Sequence, residues 1–117
     1  MTAQIQLVEV KSLDDIRNMQ RGDTFMLQHE PWDFDSRQTP ARVNRPAYRA
    51  ESPSREYNFL DVVYRFNSNR IMRGRILLEA SRVNDGSLKA HFTSYECVER
   101  SETDFQELDS FLREVEE

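Results

Sequence analysis

Three successive runs keep their apolar side chains on even positions, and this shared parity constrains the chain more than any other feature. In 57–66 the set is Leu60, Val62, Tyr64 and Phe66; in 70–82 it is Met72, Gly74, Ile76, Leu78 and Ala80. In 88–98 it includes Leu88, Ala90, Phe92 and Val98. Alternation with a period of two marks a strand with one buried face. For even positions to share a face across an antiparallel pair, the connecting loop needs an odd number of residues. Asn67-Ser68-Asn69 and Asn84-Asp85-Gly86 fit, each ending in a residue that tolerates the left-handed backbone of a three-residue hairpin with a bulge. The runs therefore predict a three-stranded meander over 57–98. Ser94 and Glu96 interrupt the inward set, which predicts a bulge or an exposed end there.

The flanking segments follow simpler rules. Residues 4–10 (QIQLVEV) predict a strand. Ser12 then offers a helix N-cap with Asp14 and Asp15 in the first turn, Leu13, Ile16 and Met19 fall at helical spacing, and Gly22 stops the helix. Residues 24–29 (TFMLQH) predict a second strand with Phe25, Leu27 and His29 on one face. Near the other end Ser101 is an N-cap, and Phe105, Leu108, Leu112 and Val115 form one apolar stripe. That stripe predicts an amphipathic helix packed on the open face of the sheet. The element order is β-α-β-β-β-β-α. It implies one α+β domain over 1–117 with a mainly antiparallel five-stranded sheet, either open or curled into a partial barrel.

Between about Glu30 and Glu56 the periodicity disappears. Pro31, Pro40, Pro46 and Pro53 punctuate this stretch. Each removes a backbone donor and biases the residue before it away from helix. The segment 30–56 is therefore predicted to be a long Arg/Pro-rich loop.

Composition narrows the class. Leu, Ile, Val and Phe make up 28 of the 117 residues, enough for one core and above the level typical of disordered chains. No apolar run reaches the roughly 18 residues of a spanning helix, so no membrane segment is expected. The opening MTAQIQLVEVKSLDD has neither a basic leader nor an unbroken apolar core, so a cytoplasmic protein is expected. A single cysteine, Cys97, excludes an internal disulfide and a multi-thiolate zinc site.

Charge is distributed unevenly. The net charge is −5, yet residues 96–117 hold nine acids against Arg100 and Arg113, which leaves the rest of the chain slightly basic. Of the basic residues 14 are Arg and only 2 are Lys. Arg suits bidentate pairing with carboxylate or phosphate and stacking on aromatic faces. Arg37, Arg42, Arg45 and Arg49 cluster in the proline-punctuated segment with Tyr48 interleaved and Trp32 nearby. Arg65, Arg73 and Arg75 occupy odd, outward positions of the meander and extend the same surface.

These residues make the binding surface of a non-catalytic protein-interaction module the leading expectation: an adaptor, an assembly factor or a small regulator. Cations beside aromatic rings are also the ingredients of a single-stranded RNA or DNA surface, which is the alternative. The acidic C-terminal helix and the basic segment can pair within one chain or between two copies, so a homodimer belongs to the same expectation. Catalytic templates are missing: there is no phosphate-binding glycine loop, and neither His29 nor His91 is local to Cys97. His29 with Glu30, Asp33 and Asp35 has metal-ligand chemistry but lacks a second nearby histidine, so no metal or cofactor is expected.

Overall fold

The computed structural model describes residues 6–28, 38–52, 55–67, 69–84 and 86–116. A short helix α1 (Leu13–Arg17) precedes β1 (Thr24–Gln28), β2 (Gln38–Ser52), β3 (Arg55–Asn67) and β4 (Arg70–Leu77). A 3-10 turn (Leu78–Ala80) leads to β5 (Arg82–Asn84), β6 (Ser87–Lys89), β7 (Phe92–Val98) and the helix α2 (Thr103–Glu116). The strands form one seven-stranded sheet in the order β5-β6-β1-β2-β3-β4-β7. All pairs are antiparallel except β1 with β6. The architecture is thus α+β, with seven strands where five were predicted.

The parity rule holds where it was strongest. Leu60 pairs with Ile76, Val62 with Gly74 and Tyr64 with Met72, so the even residues share a face. The turns differ from the expectation. Asn67 pairs with Arg70 and Asn84 with Ser87, so two residues rather than three separate each pair, and a register shift between Arg65 and Asn67 restores the phase. Gly86 supplies the positive φ of 80° that the second turn requires.

The two later runs are each interrupted. The 3-10 turn separates β4 from β5, and Ser81 spans the break. Its hydroxyl donates to the Leu77 carbonyl at 2.8 Å and accepts the His91 amide at 2.9 Å. Across from it, only Ala90 and His91 separate β6 from β7. The Ala90 amide donates to Gln28 of β1, and the His91 carbonyl accepts from Leu77 of β4. One bent stretch, 87–98, therefore bonds to both flanks of the β1–β4 run, and the sheet curls around its inner face. Phe25, Leu27, Val43, Leu60, Val62 and Ile76 fill that face, with Ile16 and Met19 closing one end.

Two corrections concern which face is covered. A register shift between Arg75 and Ile76 in the β4–β7 pair, at the predicted bulge, turns Val98 away from the inner set to which it was assigned. Val98 joins Val63 and Ile71 on the outer face. There α2 seats Phe105, Leu108 and Leu112 in a second apolar cluster, with Val115 half-buried at the margin. The helix thus covers the odd face, because the even face is already closed by the curl of the sheet.

The N-terminal strand prediction is also corrected. In the described part of 4–10 there is only an isolated bridge, Leu7 to Thr24. The reason is competition, since β6 occupies the flank of β1 from Met26 to Gln28. Helix α1 follows its signals: the Asp15 carboxylate accepts the Lys11 and Ser12 amides at 2.8 and 3.1 Å.

The largest correction falls on the predicted 30–56 loop, whose described part from Gln38 is the long central strand β2. Its prolines sit where a missing donor does no harm. Pro40 faces Met26 of β1, and the β2–β3 ladder begins only at Ala41. Pro46 lies inside a register shift between Arg45 and Tyr48. Past Val43 the strand has lost β1, and past Tyr48, where β4 ends at Leu77 opposite Phe59, it continues as a two-stranded ribbon with β3.

Gly74 is set by its neighbour. A Cβ there would lie inside the ring of Phe92, which packs on Tyr64 with 5.6 Å between centroids. Gly74→Ala should therefore destabilise the fold by about 1–3 kcal/mol in urea unfolding. An unchanged midpoint would mean that the Phe92 ring moves aside without cost.

Candidate functional site

The outer face of β2, β3 and β4 carries the arginines that sequence placed outward. The structure divides them into two groups according to the reach of α2.

Arg65 lies under the helix and is 7% exposed, a correction to its expected place on an open surface. Its guanidinium donates to Asp109 Oδ1 at 2.6 Å. Arg113 also donates to Asp109, at 2.9 Å. Burial works against the Asp109 charge, but these two hydrogen bonds outweigh it and hold the carboxyl below its ordinary value. Arg73 is half-buried. It meets Glu102 at 2.8 Å, Glu96 at 3.3 Å and Asp104 at 3.5 Å. Partial desolvation opposes its charge, yet the hydrogen bonds to Glu102 and Glu96 raise its pKa further. Arg42 rests 4.9 Å from the Phe111 ring centroid of α2. The acidic helix therefore pairs within the chain, chiefly with the meander arginines.

Beyond the helix N-terminus the pattern changes. Arg45, Asp61 and Arg75 are direct cross-strand neighbours on β2, β3 and β4. The Arg45 guanidinium carbon stands 3.7 Å over the Tyr48 ring centroid, and that of Arg75 is 5.7 Å from Phe59. Tyr48 and Phe59 pack at 5.8 Å, and Tyr57 follows Phe59 at 6.3 Å. Asp61 Oδ1 accepts the Tyr48 hydroxyl at 2.8 Å and lies 3.7 Å from Arg75 Nε. Burial and this hydrogen bond raise the Tyr48 pKa, so the phenol stays protonated at neutral pH. Among the described residues Arg45 has no carboxylate partner. An open cavity of about 300 Å³ lies alongside, lined by Asn44, Asp61, Arg73, Arg75, Ser94 and Glu96.

Of the other predicted residues, Arg49 points to the opposite side of the ribbon and pairs with Glu56 at 3.5 Å. Trp32 and Arg37 lie outside the described residues, as does the His29–Asp35 metal candidate. Among the described residues no group of His, Cys, Asp and Glu is arranged to hold a metal ion. No helix among them is long and apolar enough to cross a membrane.

Sequence reasoning missed Phe59, Asp61 and Asn44 as members of the site. A signal for the first existed. Once 38–52 is a strand that pairs with 55–67 through Ser52 and Arg55, Tyr48 falls opposite Phe59.

No family model, curated protein or solved structure matches this chain.

Proposed function

We propose that the protein is a non-catalytic interaction module, an adaptor, assembly factor or small regulator, that docks a protein partner on the outer face of β2, β3 and β4. The contact centres on Arg45, Tyr48, Phe59 and Arg75. One observation carries this reading: α2 meets the rest of the arginine row with its own side chains and stops short of these residues. What is left open is a set of rings and guanidinium groups held in place by one another, the residue types enriched at energetic centres of protein interfaces.

The same geometry weighs against single-stranded nucleic acid. A nucleic-acid surface needs unpaired cations, and Arg65 and Arg73 are already neutralised by Asp109, Glu96, Glu102 and Asp104. Affinity capture from the native host tests the proposal. Partners retained by the wild-type protein should be lost with the Arg45→Glu, Tyr48→Ala double variant. Retention of the same partners would overturn the assignment. Anisotropy with random oligonucleotides at two salt concentrations should show no binding, whereas a steep log-linear loss of affinity with salt would favour nucleic acid.

A further inference from the structure

Within that contact surface the chain shows what chemistry its outer face accepts. Arg65 takes the Asp109 carboxylate of the acidic helix at 2.6 Å, and Arg73 takes those of Asp104 in its first turn at 3.5 Å and of Glu102 just before it at 2.8 Å. The arginine row continues past the end of that helix with two more guanidinium groups on either side of a single acid, Asp61. We infer that the Arg45–Asp61–Arg75 row takes a side-chain carboxylate from an acidic segment of the partner protein. The inference rests on the docking surface proposed above and names its ligand.

Three features support a carboxylate. First, the local count is two cations to one anion, and the Asp61 oxygen nearest Arg75 already accepts the Tyr48 hydroxyl at 2.8 Å. One further negative charge balances the row. Second, Arg45 lies flat over Tyr48 at 3.7 Å, which leaves its in-plane N–H donors for a carboxylate, while Arg75 turns its Nε toward Asp61 at 3.7 Å and keeps its terminal nitrogens as further donors. Third, the adjoining cavity of about 300 Å³ offers Asn44 and Ser94 as neutral polar neighbours, room for a few side chains of an extended segment.

A phosphate polymer fits less well. Glu96 lines the same cavity, and Glu102 and Asp104 add two more acids on Arg73. An isolated carboxylate avoids that rim, while a strand with a charge at every nucleotide runs along it. Arg45 also covers a face of Tyr48 on which a base would stack.

The test is an NMR titration of the full chain with three probes: a short peptide alternating glutamate and serine, the same peptide with glutamine for glutamate, and a short oligothymidylate. The glutamate peptide should shift the side-chain Nε–H signals of Arg45 and Arg75 and the amides of Asn44 and Ser94. Arg45→Ala should weaken it about tenfold, roughly 1.4 kcal/mol. Arg45→Lys should not restore it, and Arg82→Ala on β5 should leave it unchanged. These side chains are exposed, and an unchanged spread of amide signals verifies that each variant folds.

Equal shifts with the glutamine peptide, unmoved Arg45 and Arg75 signals, or tighter oligothymidylate binding through them would each overturn the inference. The two proposals fail separately. If the double variant loses its captured partner but the glutamate peptide does not bind, the carboxylate inference falls and the docking surface stands. If the peptide binds at Arg45 while capture is unchanged, the functional reading falls instead.

Discussion

Replacing Leu112 with alanine should destabilise the protein by about 2–5 kcal/mol, read as a lowered midpoint in urea or thermal unfolding. Leu112 is fully buried between α2 and the outer face, in a cluster with Val63, Ile71, Val98, Phe105 and Leu108. The cost combines lost transfer free energy with the cavity left behind, since both walls belong to regular elements that collapse poorly. Val115 is half-buried at the margin of the same stripe, so its alanine variant should cost visibly less. Equal and negligible effects at both positions would mean that α2 is not docked.

Asp109→Ala should cost about 2–4 kcal/mol, because it removes the 2.6 Å carboxylate contact of the buried Arg65 guanidinium. Arg65→Met should cost much less. It removes the charge together with the need for a partner, and it fills a similar volume. The comparison separates the penalty of weakening the pairing of a buried charge from the net worth of the pair.

The pH dependence has a definite sign. Asp109 titrates below its ordinary value of 3.8 in the folded state, so its contribution is present above that value and is lost as pH falls through the lower folded one. Asp109→Asn should flatten this acid limb of the stability profile. A limb of unchanged steepness would show that other carboxylates set it.

The legible parts of the fold were those with an unbroken local code. Leu60, Val62 and Tyr64 found their partners on β4 because alternation is a property of the backbone and survives a change of loop length. Helix α1 followed its N-cap Ser12 but ends at Arg17, ahead of the expected stop at Gly22, and α2 followed its apolar stripe but begins at Thr103, two residues past the expected cap Ser101. Strand β2 was hidden for the opposite reason. Pro40, Pro46 and two register shifts erase the period of two, and only the pairing shows that each proline sits beside a gap in the ladder.

The site inherits that blindness. Arg45, Tyr48 and Arg75 were visible as residue types suited to binding. That Asp61 lies between two of them is a matter of register across three strands, which no local window contains. The outward position of Arg65 and Arg73 was read correctly along their strands. What covers them was not, because α2 could have packed on either face until the curl of the sheet closed one of them.

That curl shapes how the molecule comes apart and comes together. Since residues 87–98 bond to β1 at one end and β4 at the other, neither flank can fray alone: peeling β7 from β4 pulls on the seam between β6 and β1. Local opening is tied to global unfolding, so amide protection at the two seams should converge on one free energy. Assembly is bound by the same tie. Strand β1 emerges early in synthesis but completes its pairing only when β6 follows, about half the chain later. The native sheet is thus closed by long-range contacts, a topology that folds late and as a unit.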